Sequence, residues 1–212
     1  MTSEIFNIDC VEYMRTLPDK YFDLAVVDPP YGINAGNMQM GISTTRKYSR
    51  GKDWDLGVPG PEYFEQLFRV AREQIIWGGN YFQLPLSEDW IVWDKMNYGR
   101  SFSEAEFAWC SIHRKIRVFR FRTTTPVEGG KIHPTQKPVE LYTWILSNYA
   151  RGGHGYSIHT SGPGPQGSRR ISRGWISSER KSTRNISAPR TSGSIAFVEE
   201  SSSTRPGIKH NN

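Results

Sequence analysis

Cysteine is nearly missing from this chain, with only Cys10 and Cys110 among 212 residues. There is no Cys-x-x-Cys pair and no histidine at ligand spacing, so neither a disulfide framework nor a structural zinc site is indicated, and reduced, packed thiols are expected. Long apolar stretches are missing too. No run reaches the roughly 18 residues that a membrane-spanning helix needs, and Met1-Thr2-Ser3-Glu4 lacks the basic and apolar regions of a signal peptide. The expectation is an intracellular, cytoplasmic protein of one ordinary domain. Acidic residues are the third shortage, and a local one. Residues 151 to 212 hold 10 Lys+Arg against 3 Asp+Glu, with no Leu, Met or Asp, whereas residues 1 to 150 hold 17 against 18. The formal excess of +6 therefore comes from the tail. Its 13 Ser and 9 Gly leave little to bury, so a disordered tail is expected, of a kind that binds nucleic acid without sequence preference.

The first 150 residues carry the pattern of a folded α/β domain. Phe22-Asp23-Leu24-Ala25-Val26-Val27 is a short apolar, β-branched run that reads as a buried strand ending at Asp28, where Pro29 and Pro30 stop it. Glu62 to Glu73 places Tyr63, Phe64, Leu67, Phe68, Val70 and Ala71 on one helical face. Gln74-Ile75-Ile76-Trp77 then reads as the next strand, broken by Gly78-Gly79, which makes a βαβ rhythm. Further strands are expected at Trp90 to Trp93, Glu106 to Trp109 and Ile116 to Phe121, and a helix over Val139 to Tyr149.

Asp28-Pro29-Pro30-Tyr31 is the most informative tetrad. Ligands of open α/β sheets bind at the carboxyl ends of strands, so an acid there faces a crevice. Two prolines fix φ at successive positions and remove two N–H donors, leaving carbonyls able to accept hydrogen bonds from a ligand. A carboxylate, a bare carbonyl and an aromatic plane suit a flat molecule with an exocyclic amine, such as adenine. The plainer alternative is a turn kept for its geometry.

Asp28-Pro29-Pro30-Tyr31, followed about a hundred residues later by His133-Pro134-Thr135-Gln136-Lys137-Pro138, resembles the DNA amino-methyltransferases, specifically the adenine-N6 enzymes whose catalytic motif precedes the cofactor motif. Asp9-Cys10, Leu17-Pro18-Asp19, Ile75 to Phe82 and Trp90 to Lys95 look like a phage and bacterial branch of that family, and the likeness covers roughly residues 5 to 150. The resemblance implies a Rossmann-like, circularly permuted α/β fold that uses S-adenosylmethionine on double-stranded DNA with a flipped adenine. A partner restriction nuclease is not visible in the chain. By the same resemblance Asp28 and the Pro29 carbonyl, in the corner completed by Pro30, would hold the target N6 amine, and Tyr31 would stack on the base. Asp9, Cys10 and Asp28 would border the cofactor, with Thr135, Gln136 and Lys137 opening a helix beside its methionine end. Arg46, Lys47, Arg50 and Lys52, on a glycine-bearing loop with Gly36 and Gly41, would lie over DNA, or form a solvated surface loop. Arg114, Lys115, Arg117, Arg120 and Arg122 make a basic strand that either tracks phosphates or guards a sheet edge. A target-recognition segment would occupy about residues 95 to 131. Cytosine-N4 transfer is disfavoured because that group usually carries Ser where Asp28 stands. A nucleic-acid-binding remnant without chemistry is the competing class.

The resemblance stops near Ala150, leaving the cofactor-binding half incomplete. The family continues with a strand, a glycine-rich loop of the kind Asp-x-x-x-Gly-x-Gly, and a strand ending in an acid; nothing from Arg151 onward reads that way. Back-translation offers a reason. Ile158 to Gly164, written as ATA CAC ACC TCG GGT CCG GGT and regrouped by two bases with a G upstream, becomes Asp-Thr-His-Leu-Gly-Ser-Gly. The same shift from Trp175 to Ser192 allows Asp-Phe-Ile-Gly-Ala-Glu-Ile-Asp-Pro-Glu-Tyr-Phe, an apolar strand ending in acids and then a helix start. Two bases of each shifted codon are fixed by the residues present, so a long run of sensible matches is hard to obtain by chance. The tail is therefore expected to be an out-of-frame translation, and the competing evolved basic arm predicts no hidden motif. Sequencing the gene across codons 146 to 196 decides between them: the shifted frame is expected to encode both motifs, and its failure to do so would overturn this account.

Overall fold

The computed structural model describes residues 4–35, 55–100, 102–113, 115–122, 137–150, 155–160 and 169–175. Their organising element is strand β2 (Phe22–Asp28), in which Leu24, Ala25, Val26 and Val27 are all buried. Successive residues of a strand point to opposite faces, so four consecutive buried positions need cover on both sides. Leu24 and Val26 belong to one core cluster with Leu141, Tyr142, Ile145, Leu146 and Tyr149 of helix α3 (Val139–Tyr149). Phe22, Ala25 and Val27 belong to the other, with Cys10 and Met14 of helix α1 (Cys10–Arg15) and Tyr63, Leu67 and Val70 of helix α2 (Pro61–Val70).

Strand β3 (Ala71–Trp77) pairs parallel to β2, with Val26 opposite Ile75 and Val27 opposite Ile76. Beyond it lie β5 (Ala105–Cys110), antiparallel to β3, then β4 (Trp90–Asp94), antiparallel to β5, and the edge strand β6 (Arg117–Arg120), parallel to β4. On the other side of β2 come β7 (Gly155–Thr160), parallel to it, then β8 (Arg169–Trp175) and β1 (Glu4–Ile8), joined by antiparallel pairings. The eight-stranded order is β1-β8-β7-β2-β3-β5-β4-β6. A mixed sheet with helices packed on both faces is consistent with the α/β methyltransferase fold expected from the sequence. Among the described residues no helix is long and apolar enough to cross a membrane.

Three expectations are corrected. The helix expected to reach Glu73 ends at Val70, and the strand begins at once with Ala71. Its register explains why: Phe22 pairs with Ala71 and Leu24 with Glu73, so sheet pairing claims residues that the helical pattern had absorbed. Lys137 does not open α3, which starts at Val139 with Pro138 as its extended N-cap residue. A residue before proline is sterically pushed out of the helical region, so Lys137 is held as a strut outside the helix. The tail expected to lack structure supplies β7 and β8 to the sheet.

Candidate active site

The corner after β2 is built from backbone constraints. Pro29 and Pro30 are buried, and the N–H groups beyond them converge on one carboxylate. Tyr31 N and Gly32 N donate to Asp55 Oδ1 at 2.6 and 2.9 Å, and Ala35 N donates to Oδ2 at 2.9 Å. Asp55 is buried, and three charge-assisted bonds offset the cost of placing it there. The turn is thereby fixed in a shape that the two prolines alone would not set. Sequence reasoning missed Asp55, since an isolated acid beyond a loop carries no spacing signal.

Tyr31 is oriented by both ends of its ring. Its hydroxyl donates to Asp28 Oδ1 at 2.8 Å, and the ring stacks on Tyr81 with centroids 5.1 Å apart and planes 15° apart. Phe82 meets it edge-on at 6.2 Å. Gly78, with φ +70°, lies against the ring so closely that an added Cβ would stand 2.2 to 2.7 Å from three ring atoms. The Gly78-Gly79 break after β3 thus serves two needs, a left-handed turn and room for Tyr31.

Around Asp28 the structure gathers charges from distant parts of the chain. Lys137 Nζ donates to Asp28 Oδ1 at 2.6 Å and to Tyr31 Oη at 3.1 Å, and lies 3.1 Å from Glu106 Oε2. Glu106 Oε1 lies 2.7 Å from Lys95 Nζ. The Lys137 ammonium also stands over the rings of Trp77, 5.2 Å from its centroid, and Tyr31, at 5.5 Å. Charges therefore alternate: Lys95, Glu106, Lys137, Asp28. Burial pushes the Lys137 ammonium towards neutrality, but Asp28 and Glu106 more than reverse this and raise its pKa. Burial likewise opposes ionisation of Glu106, and Lys137 and Lys95 overcome it, holding the carboxyl down to about 2. Burial first, then Asp28 and Glu106, keep the Tyr31 phenol protonated by raising it well above its ordinary range. Sequence reasoning placed no role on Glu106; its only signal was an acid within an otherwise apolar strand.

Of the other expected site residues, Asp9 caps helix α1, its Oδ1 accepting from Val11 N at 2.8 Å and Glu12 N at 3.1 Å. Cys10, expected beside the cofactor, is buried in the core beneath α1. Arg117 donates to Asn148 Oδ1 at 3.1 Å and lies over the Trp144 ring at 5.4 Å, so it ties β6 to α3. Arg120 is exposed and pairs with Asp94 at 3.4 Å; Arg122 follows β6. Gly36, Gly41, Arg46, Lys47, Arg50, Lys52, Arg114, His133, Pro134, Thr135 and Gln136 lie outside the described residues.

The sheet supplies the place for a ligand. From β2 the chain passes to β3 on one side, whereas β7 leads to β8 on the other, so the strand order reverses between β2 and β7. Their parallel register sets Asp28 opposite Thr160, with both carboxyl ends at one edge. A crevice at such a reversal is where open α/β sheets take nucleotide-like ligands. Trp77 Nε1, buried at the same end of β3, has no hydrogen-bond partner among the described residues. A carboxylate and a donor at this edge fit the nucleoside part of the cofactor implied by the sequence. Among the described residues no group of three His, Cys, Asp or Glu is placed to hold a metal ion.

This fold and edge define an α/β protein with a strand-end acid site, and comparison narrows the class. The chain is 25% identical over 197 residues to the type II methyltransferase M.HinfI of Haemophilus influenzae, a match covering 68% of this chain and 55% of that protein. The match supports a relationship to DNA methyltransferases. The chain spans about half the length of this curated relative. No protein-family model matches it.

Two measurements check the site's construction. Gly78→Ala is expected to lower the unfolding free energy by about 2 kcal/mol through left-handed strain and collision with Tyr31. Gly57→Ala, where an added Cβ meets nothing within 4 Å, is the control, and equal losses in urea titrations would contradict the packing. Glu106 concerns pH. Its folded pKa of about 2 lies below the ordinary value of 4.5, so its stabilising share is complete above the latter and is lost as pH falls through the former. That share is on the order of 3 kcal/mol. The stability gap between the parent chain and Glu106→Gln should shrink as pH falls from 5 to 2; a constant gap would refute the assignment.

Proposed function

We propose that this chain derives from a site-specific DNA methyltransferase that transfers a methyl group from S-adenosylmethionine to N6 of adenine. The observation that carries the reading is the Asp28 carboxylate at the carboxyl end of β2, beside the reversal of strand order, in a corner fixed by two buried prolines and completed by Tyr31. The relationship to a type II methyltransferase supports it, and such enzymes generally use this cofactor. The fold is Rossmann-like and circularly permuted, with the Asp-Pro-Pro-Tyr corner preceding the segment that ends in Lys137. The setting is that of restriction-modification or a phage-like modification system, with DNA as the partner.

S-adenosylmethionine supplies an electrophilic methyl group on a sulfonium. The work of the chain is to bring the exocyclic amine of a flipped base into line with it. Asp28 accepts hydrogen bonds from the amine and draws its lone pair out of conjugation with the ring. The Lys137 ammonium 2.6 Å from Asp28 Oδ1 helps fix the carboxylate as an oriented acceptor, which suits an amine that is barely basic. The Pro29 carbonyl offers a second acceptor, and Tyr31, its ring packed between Gly78 and Tyr81, holds Asp28 through its hydroxyl. Thr135 and Gln136, with the glycine-rich loop expected after β7, would hold the cofactor's methionine end.

In this reading that loop exists only in the shifted frame. β8 runs between β7 and β1 in the sheet, yet its seven residues include Arg169, Arg170 and Arg173. Interior strands of α/β sheets are near-continuous apolar runs. The regrouped codons place the apolar run ending in acids from Trp175, the last residue of β8, onward, so the restored strand is not β8 itself.

The frame-restored chain, given unmethylated duplex DNA and labelled cofactor, is expected to form N6-methyladenine, and the chain as written to form less than about one hundredth as much. Asp28→Ala in the restored chain should lower transfer by about a thousandfold, the scale of losing an oriented charge-stabilising group, and leave DNA affinity within threefold. DNA binding without transfer by the restored chain would favour the non-catalytic reading. Methylation at N4 of cytosine would replace the assigned base.

A further inference from the structure

The position of the Lys137 ammonium raises a question that the proposed reaction leaves open. It donates to Asp28 Oδ1, the same kind of hydrogen bond that an exocyclic amine would make there. Its side chain is only 3% exposed, so water does not compensate it if that bond is given up. An ammonium has three protons, and three acceptors face it: Asp28 from β2, the Tyr31 hydroxyl from the corner, and Glu106 from β5. The other titratable neighbours are Lys95, on the far oxygen of Glu106, and Tyr142 of α3, which senses both carboxylates.

Among the described residues only Glu106 keeps a negative charge on the ammonium while Asp28 turns to another donor. It is well held for this. Glu106 pairs in register with Trp93 of β4, its strand is anchored to β3 through Trp77 opposite Ala108, and Lys95 fixes its second oxygen. The rings of Trp77 and Tyr31 line the ammonium's surroundings. We infer that Glu106 is a positioning residue for the target amine: it retains the Lys137 ammonium on its own side, so that Asp28 accepts hydrogen bonds from an exocyclic amine of a nucleobase. This rests on the proposed reading of Asp28 as the amine acceptor. A proton relay through Glu106 fits less well, because a carboxyl held near 2 is a poor store for a proton.

The full chain as written, labelled with 15N-lysine, provides the test, with the Lys137 Nζ–H resonance identified by its loss in Lys137→Arg. Adenosine is the probe and N6,N6-dimethyladenosine, which has no amine hydrogens, the control. Adenosine is expected to move the resonance of the parent chain and the control to leave it in place. Glu106→Gln should bind adenosine at least tenfold more weakly, without that movement, and Glu106→Asp, which keeps the charge on a shorter arm, should restore part of both. An equal response in Glu106→Gln, a response to the dimethyl control, or none in the parent chain would overturn the inference; a Glu106→Gln chain that does not fold passes the decision to Glu106→Asp, where affinity and response equal to the parent's would do the same. The readout needs no methyl transfer. Absence of transfer by the frame-restored chain with the adenosine response intact sinks the proposed reaction alone, and transfer with an unchanged Glu106→Gln response sinks this inference alone.

Discussion

One buried ammonium holds the candidate site together. Lys137 reaches Asp28 across 109 positions of sequence and Glu106 across 31, joining the end of β2, strand β5 and the segment before α3 at one point. Taking such a charge out of water is costly unless opposite charges and hydrogen bonds replace the solvent. Two carboxylates and a phenol do so here, and Lys95 balances the second carboxylate. Removing Lys137, Glu106 or Asp28 leaves an opposite charge short of a partner in a nearly dry setting. That sensitivity makes the cluster a constraint on the geometry of the corner and gives the site a fixed electrostatic character before any ligand arrives.

The cluster in turn depends on β2 being buried on both faces. Because α3 covers one face and α1 with α2 the other, the interior of β2 is sealed, and Asp28 at its carboxyl end is its partly exposed acid. The prolines that follow cannot continue the ladder, and Asp55 takes up the backbone donors beyond them. A rigid corner results, with Asp28 on its inner side and Tyr31 packed between Gly78 and Tyr81. Rigidity of this kind is what an oriented acceptor requires, since a misplaced hydrogen-bond acceptor loses most of its value to a reaction in line.

Much of this was legible in the sequence where a residue's environment is local. The apolar run of β2, the punctuation by Pro29 and Pro30, and the 3.6-residue stripe of α3 are all read from neighbours along the chain, and all three lie where expected. What was not legible depends on partners far away. The end of α2 was misjudged because pairing of Ala71 and Glu73 with β2 outweighs a helical pattern that continues through them. Lys137 and Glu106 could not be joined, because nothing in the spacing of an acid in a strand and a lysine before a proline says that they meet. Burial of Cys10 beneath α1 was likewise set by the fold, with Asp9 taken up as the cap of that helix.

The tail brings local and global consistency into direct conflict. A sequence that specifies its structure has propensity, pattern and burial agreeing at each level. Through α3 they agree. In β7 and β8 the backbone takes positions that complete the sheet, yet the residues are those of a solvated basic segment: Ser157 stands opposite Ala25 and His159 opposite Val27, both of which are fully buried. A basic arm selected for binding nucleic acid has no reason to sit where the sheet needs strands. The proposed out-of-frame reading is consistent with this conflict, since it leaves residues 151 to 212 with side chains that the sheet did not select.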